Sequence, residues 1–218
     1  MPRSGAEARR RLQQAALELY RERGFDRTTT AEIAARAGVN ERTFFRHFPD
    51  KREVLFDGES DLRAALTQAV AAAPGGLQPL DLLLHAFRKV EHILEGNRPF
   101  AEPRLRVIAE TPALRERDLA KAAAMAEAVA EALRRRGVAD RPAVLAAQTG
   151  WAAFHHAIQS WIDDSAQSLD AHLLQTFDDL RATLSPTVPG RRRRSMKATR
   201  GETAPRGLHR AALRRARS

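Results

Sequence analysis

Residues 28–56, TTTAEIAARAGVNERTFFRHFPDKREVLF, form the stretch from which the fold of the chain can be predicted. Thr29 is a favourable N-cap residue, and Glu32 stands three positions later, which is the spacing of a capping box. Apolar residues follow at helical spacing until Gly38, because glycine tolerates the left-handed conformation of a helix C-cap. The first part of the stretch therefore predicts a short helix that ends at a glycine turn.

A second short helix is predicted directly after this turn. Asn40 can cap it, Phe44 and Phe48 would face inward, and Pro49 would stop it because a proline ring does not fit inside a continuing helix. Two short helices joined by a glycine turn are typical of a helix-turn-helix, whose second helix enters the major groove of DNA.

A longer helix is predicted next, from Lys51 to about Ala73, before a Pro-Gly-Gly sequence. Asp50 and Glu53 have the spacing of a second capping box at its start. Lys51 would lie beside the helix N-terminus, where free N–H groups attract phosphate, and it is predicted to contact the DNA backbone. This helix would belong to both parts of the molecule, so a ligand signal would have to pass along it.

The outward face of the second short helix is predicted to carry hydrogen-bond donors and cations around an aromatic ring: Glu41, Arg42, Thr43, Phe45, Arg46 and His47. Such a face can reach base edges and phosphates in a major groove. The alternative is a compact three-helix domain whose polar face is only solvated. The spacing favours DNA binding over that alternative.

The same stretch resembles the DNA-binding signature of the TetR-type transcriptional regulators. The matching residues are Thr28, Thr29, Ile33, Ala34, Ala37, Gly38, Val39, Asn40, His47, Phe48 and Lys51. Phe45 departs from the family pattern, in which a tyrosine hydroxyl often meets a phosphate, and Asn40 replaces the usual serine. The resemblance implies a transcription factor, usually a repressor, that binds a palindromic operator as a homodimer and is released by a small effector. The residues predicted to contact DNA are Thr29, Thr30, Asn40, Arg42, Thr43, Phe45, Arg46, His47 and Lys51.

The composition predicts a helical protein without a disulfide framework. The 218 residues are rich in Ala, Leu and Arg, and none of them is Cys. No apolar run approaches the ~20 residues that a membrane span needs. No apolar segment follows the early charges, so no signal peptide is expected and the protein is predicted to be cytoplasmic.

The net charge of +10 is concentrated in the last part of the chain. Residues 185–218 hold ten Arg, one Lys and one Glu, and they have too little apolar content to fold alone. Residues 1–56 carry 12 basic and 8 acidic groups, whereas residues 57–184 carry 14 basic and 18 acidic groups. A basic end and an acidic body suit DNA binding at one end. The basic tail is predicted to be disordered, and it would either bind DNA non-specifically or only keep the protein soluble.

The predicted fold is all-α with about nine helices. A helix-turn-helix domain is expected at residues 1–50, a helical ligand-binding and dimerisation domain at 51–184, and a disordered basic tail at 185–218. The last two helices carry apolar stripes, and the residues predicted to form the dimer interface are Trp151, Ile158, Trp161, Leu173, Phe177 and Leu180. This assignment follows the resembled family, in which the final two helices pair between subunits. Part of each stripe must instead be intramolecular core.

A ligand cavity is predicted around the proline-bounded segment 100–109, because irregular packing there would leave room. Its candidate lining residues, each more often plain core than ligand wall, are Leu84, Phe87, Arg104, Leu105, Ile108, Met125, Val129 and Phe154. The body also resembles the C-terminal domain of regulators related to the mycofactocin regulator, a subgroup linked to acyl-CoA-like ligands. That resemblance implies Arg104 and Arg106 as phosphate partners at the cavity mouth, with solvated surface arginines as the alternative.

No residue set indicates catalysis, a metal site or a bound cofactor. His155 and His156 would point about 100° apart on a helix, so they cannot easily share one ion with Asp163. The chain has no glycine-rich phosphate loop and no nucleophile elbow. The predicted partners are operator DNA, a small effector and a second copy of the chain, with no membrane and no enzymatic activity. The alternative function is non-specific DNA binding driven by the basic tail.

Overall fold

A computed structural model describes residues 3–164 and 166–184 of the chain. These residues form one 3₁₀ helix, Glu53–Phe56, and nine α-helices: α1 (Arg3–Arg23), α2 (Thr30–Arg36), α3 (Glu41–His47), α4 (Glu59–Ala72), α5 (Pro79–Glu95), α6 (Arg98–Glu110), α7 (Pro112–Arg135), α8 (Asp140–Asp163) and α9 (Leu169–Leu184). The all-α prediction is confirmed. The tail predicted at 185–218 lies outside the described residues. None of the described helices is long and apolar enough to cross a membrane.

The first three helices pack around one apolar core. Leu12 of α1 and Phe44 of α3 are fully buried in it. The predicted capping box is present at the start of α2, because Glu32 N–H donates to Thr29 Oγ1 (3.3 Å) and Thr29 N–H donates to the Glu32 carboxylate (2.9 Å). Gly38 follows with a φ of +69°, the left-handed conformation that ends the helix. The capping box and the glycine turn thus set the start and the end of α2 within the helix-turn-helix.

The predicted continuous helix over residues 51–73 is interrupted, and that prediction is wrong. The 3₁₀ helix spans Glu53–Phe56, and α4 starts only at Glu59. Gly58 lies between them with a φ of +85°, a conformation that is strained for residues with a Cβ. The chain therefore changes direction at Gly58, and α4 is a separate helix from the turn that packs on the helix-turn-helix.

The second predicted capping box is only half formed. Asp50 Oδ1 accepts hydrogen bonds from the backbone N–H groups of Arg52 (2.7 Å) and Glu53 (3.2 Å). The Glu53 carboxylate pairs instead with Arg117 (2.5 Å) and Lys121 (3.2 Å) of α7. Asp50 therefore caps a tight turn, and the ion pairs of Glu53 connect that turn to α7.

A second core fills the body between α4, α5, α7, α8 and α9. Phe87 stacks on Phe154 with ring centroids 4.3 Å apart, and the Phe177 ring lies 6.0 Å from that of Phe87. All three rings are fully buried. Arg136 follows α7 and donates to the Ala71 carbonyl (2.9 Å), which anchors the C-terminal end of α4.

The segment expected to be irregular over residues 100–109 is a helix, α6, with Pro103 inside it. A proline at this position removes one backbone hydrogen bond, yet α6 continues past it to Glu110. Val107 and Ile108 of α6 and Leu114 of α7 belong to the core of the helix-turn-helix. The helix-turn-helix is therefore packed directly against α6 and α7.

Candidate DNA-binding surface and effector cavity

The outward face of α3 stands on a scaffold fixed by hydrogen bonds. The Asn40 side chain accepts a hydrogen bond from Thr43 N–H (2.8 Å), so it caps α3 as the sequence predicts. Thr30 Oγ1 donates to the Glu41 carboxylate (2.5 Å), which links the first turns of α2 and α3. The residues of α3 that are exposed are Glu41, Arg42, Phe45 and Arg46.

Two arginines are available on this face. Arg42 and Arg46 lie one helical turn apart, both are exposed, and neither forms an ion pair with any of the residues that the structure describes. Planar guanidinium groups can donate two hydrogen bonds to a guanine edge or bind a phosphate. The arrangement is therefore that of a recognition helix, with Phe45 between the two cations.

His47 is less exposed than Arg42, Phe45 and Arg46 of this face. The side chain is half-buried beside Gly5 of α1, and its Nε2 has no hydrogen-bond partner in the described part of the chain. Burial, with the nearby charges of Arg46 and Arg9, lowers the pKa of His47, so the imidazole is neutral near pH 7. His47 packs against α1, and its predicted contact with DNA stays a prediction.

Lys51 is also held by the protein itself. Its Nζ donates to the carbonyl oxygens of Phe25 and Thr28 (2.9 Å each) and lies 4.2 Å from the Phe25 ring centroid. Tyr20 Oη in turn donates to the Lys51 carbonyl (2.6 Å). Two of the three N–H donors of Lys51 thus fix the connection between α1 and α2, and its predicted contact with a phosphate stays a prediction.

Ion pairs join the helix-turn-helix to α7 on both sides of the turn at Gly58. Lys121 Nζ lies 3.2 Å from the Glu53 carboxylate and 2.5 Å from that of Glu59, and these three side chains are only 17–18% exposed. Arg117 adds a second partner for Glu53 at 2.5 Å. One lysine therefore connects the 3₁₀ helix to the start of α4.

A cavity of about 220 Å³ lies between α4, α5, α6, α7 and α8. The predicted lining residues that do line it are Arg104, Leu105, Met125 and Phe154. The other four predicted residues are buried in the two cores, namely Leu84, Phe87, Ile108 and Val129. For these four residues the favoured alternative of plain core holds, because helical periodicity identifies an inward face without distinguishing core from cavity.

The cavity wall includes residues from the helix-turn-helix end that the sequence did not single out as ligand contacts. Gln13 of α1 and Phe56 of the 3₁₀ helix both lie in this wall. The inward orientation of Phe56 could be predicted from its spacing, whereas nothing in the sequence marks Gln13. A molecule in the cavity would contact the DNA-binding end and the body at once.

Arg104 brings a positive charge to the cavity. Its Nε donates to the Leu55 carbonyl, and its guanidinium lies 5.5 Å from the Phe56 ring centroid. Burial lowers the pKa of this guanidinium against the opposing charges of Asp118 and Glu59, although neither carboxylate forms an ion pair with it. Its remaining donors can therefore bind an anionic group. Arg106 is exposed, pairs with Glu102 (3.3 Å) and lies outside the cavity wall, so its predicted place there is wrong.

A few other polar groups interrupt the largely apolar wall of the cavity. Lys121 and Glu59 line it together with His155, whose ring centroid lies 5.4 Å from that of Trp151. Burial is the main cause that lowers the pKa of His155, so its imidazole is neutral near pH 7. An apolar pocket with a few convergent polar groups is typical of a small-molecule site.

The apolar stripes of α8 and α9 face mainly the inside of the protomer. Four of the predicted dimer residues are buried there, whereas Ile158 and Leu180 are half-buried and their place in an interface stays a prediction. The residues that line the cavity are Trp151, Ile158 and Trp161. The residues that pack in or against the body core are Leu173, Phe177 and Leu180. The alternative of intramolecular core therefore holds for the buried part of each stripe, where α8 and α9 pack on other elements of the body.

The helix-turn-helix with its two free arginines and the adjoining internal cavity are features of a DNA-binding regulator. A family model described as bacterial regulatory proteins, tetR family, matches residues 12–57. The model of the MftR C-terminal domain matches residues 77–185, which is half of the chain. The chain therefore belongs to the TetR family of bacterial transcriptional regulators, and it is not an enzyme.

Similar proteins include the regulator TcmR of Streptomyces glaucescens, with 41% identity over 75 residues, or 34% of this chain and 33% of TcmR. This match thus spans one third of that relative. A Mycobacterium tuberculosis protein described as a mycofactocin biosynthesis transcriptional regulator, MftR, is 26% identical over 84% of this chain and 98% of its own length. The crystal structure of the TetR-family repressor FadR of Thermus thermophilus with lauroyl-CoA has a TM-score of 0.53 and 28% identity, covering 91% of this chain and 100% of FadR.

Proposed function

We propose that the protein represses transcription by binding a palindromic operator as a homodimer, and that a small effector in the cavity releases it. One observation carries this proposal: the cavity wall includes Gln13 and Phe56, which belong to the DNA-binding end. An effector that prefers one arrangement of these residues must shift the equilibrium between DNA-binding states.

The proposed effector is a small apolar or acyl-CoA-like molecule with an anionic group. The wall is mostly apolar, and Arg104 offers donors without a carboxylate partner among the described residues. The volume of about 220 Å³ is below the roughly 300–1,000 Å³ of typical ligand pockets, so it would enclose only the apolar part of a large ligand. FadR of Thermus thermophilus, crystallised with lauroyl-CoA, supports this class of ligand.

The proposed coupling runs through Lys121. This lysine lies in the cavity wall and also pairs with Glu53 and Glu59 on either side of the Gly58 turn. An anionic group in the cavity would compete with these two carboxylates for the lysine. Loss of the ion pairs would free the 3₁₀ helix from α7 and change the position of the helix-turn-helix.

A Lys121→Met variant is expected to behave like the effector-bound protein. Its operator affinity without effector should fall by a large part of the full allosteric effect, typically about 5–150-fold, because both ion pairs are lost. Added lauroyl-CoA should then cause little further release. Fluorescence anisotropy with labelled operator, with and without lauroyl-CoA, measures both quantities.

Lys89→Met is the matched control for this variant, since Lys89 is exposed on α5 and lies outside the cavity wall. It should keep the affinity and the release of the unmodified protein. If Lys121→Met retains both tight operator binding and full release by an effector that acts on the unmodified chain, the proposed coupling is wrong.

The proposed dimer uses the outer face of α8. Residues 142–162 contain no Asp, Glu, Lys or Arg, and the exposed positions among them include Leu145 (63% exposed), Ala152 and His156. Solvated helix faces normally carry charges, whereas the centres of interfaces are depleted of them. A two-fold dimer also places two recognition helices at half-sites about 34–36 Å apart.

The rival function, non-specific binding through the basic tail, is tested by removing residues 186–218. Full-length and shortened proteins are compared on the DNA upstream of the protein's own coding sequence, with shuffled competitor at near-physiological salt. A discrete complex that resists competitor should form with both proteins, since α3 reads the sequence. Loss of all binding on shortening, with only competitor-sensitive binding in the full chain, would favour the tail-driven alternative.

A further inference from the structure

The recognition helix exposes one large apolar side chain to solvent. Phe45 is 52% exposed, and it is the only aromatic residue that is strongly exposed in the part of the chain described by the structure. Leaving a phenyl ring in water forgoes the free energy of its burial. A ring in this position on α3 is therefore expected to find a partner when the helix enters the groove.

The ring of Phe45 packs against one buried ring in the protein without DNA. It packs edge-on against Phe44, with ring centroids 5.4 Å apart and planes at 83°. Phe44 is itself fully buried and lies 5.9 Å from the buried ring of Phe48. This contact with a buried neighbour reduces the conformational freedom that Phe45 would lose on binding.

The chemistry of the groove leaves few partners for this ring. A phenyl group has no donor for a phosphate, and the exposed cations Arg42 and Arg46 of the same helix can serve that purpose. Each base pair presents hydrogen-bonding atoms in the major groove, but only thymine adds an apolar group, its 5-methyl. A phenylalanine side chain can contact that methyl group directly.

We propose that Phe45 determines specificity by contacting the 5-methyl group of one thymine in each operator half-site. The inference rests on the proposed DNA-binding function of α3 and adds a base preference to it. Thymine would be preferred over cytosine and uracil at this position, because both lack the methyl group. Arg42 and Arg46 would supply the neighbouring hydrogen bonds and phosphate contacts.

The test uses a duplex that the full-length protein selects from a random-sequence DNA pool. Each thymine pair at symmetric positions is replaced in turn by deoxyuridine, which removes the methyl group and keeps every hydrogen-bonding atom. One replacement should weaken binding by about fourfold per half-site, as expected for one buried methyl group, and by roughly 15-fold for both half-sites. All other replacements should change the affinity much less.

Variants of Phe45 connect that effect to the ring. Phe45→Ala should bind the thymine and deoxyuridine duplexes equally, whereas Phe45→Tyr, which keeps the ring, should retain the preference. Both variants should unfold at the temperature of the unmodified protein, since the side chain is exposed.

The proposal is overturned if no deoxyuridine replacement weakens binding of the unmodified protein to a selected duplex. It is also overturned if Phe45→Ala keeps the full penalty or if Phe45→Tyr loses it. In these cases the selected duplex still shows that the protein reads sequence. Failure to enrich any sequence from the pool would overturn both this proposal and the operator-binding function.

Discussion

Replacement of both Arg42 and Arg46 by alanine is expected to lower operator affinity at least about 100-fold, because each well-placed arginine contact to a base contributes about 1–3 kcal/mol and each dimer would make it twice. Both side chains are exposed and without ion-pair partners in the described residues, so their loss should leave the fold intact. The measurement is operator affinity at fixed salt, accompanied by sedimentation of the free protein.

The control replaces two body arginines, Arg115 and Arg141, which are also exposed and lie on α7 and α8. This variant loses the same number of charges but should keep operator affinity. If the two double variants bind the operator equally well, α3 is not the recognition helix. A smaller salt dependence for the α3 variant alone would add that phosphate contacts were removed.

The second large effect is expected for Phe177→Ala, which should destabilise the protomer by about 3–5 kcal/mol and lower its melting temperature by roughly 6–20 °C. Phe177 is fully buried beside Phe87 in the body core, so its removal leaves a cavity. Thermal unfolding followed by circular dichroism measures the change. The loss of stability should be present at every protein concentration at which the protein is measured.

Ala152→Arg should separate the dimer without destabilising the protomer if the outer face of α8 forms the dimer interface. Ala152 is exposed in the protomer, so an arginine fits there without disturbing the core, but it would place a charge in the interface. Sedimentation should show monomers that remain folded. If Phe177→Ala gives stable monomers and Ala152→Arg remains dimeric, the apolar stripe of α9, and not the outer face of α8, forms the interface.

The helix-turn-helix could be predicted closely because its determinants are local. The capping box of Thr29 and Glu32, the left-handed Gly38 and the cap of Asn40 are all readable within a few residues, and all are present in the structure. The break before α4 was missed, although Asp57-Gly58 is a dipeptide that often marks a turn.

The rest of the site depends on contacts between residues far apart in the sequence. Phe177 and Trp161 have the spacing of a helix seam, but that spacing does not reveal whether the neighbouring helix belongs to the same chain. The positions of Lys51 and Gln13 could not be predicted from local spacing either. The carbonyl groups that bind Lys51 and the cavity wall that includes Gln13 come from packing, so no pattern of one helix indicates them.

The 3₁₀ helix limits how such a protein can be rebuilt as a biosensor. By position Glu53 belongs to the DNA-reading module, yet its carboxylate is bound by Arg117 and Lys121 of the sensing module. A chimaera that joins a foreign reading module before residue 51 keeps these native partners. A junction within α4 replaces Glu53, so Arg117 and Lys121 lose this carboxylate partner. The transplantable module therefore ends before the 3₁₀ helix, and chimaeras built with the later junction should bind their operator weakly whether or not the effector is present.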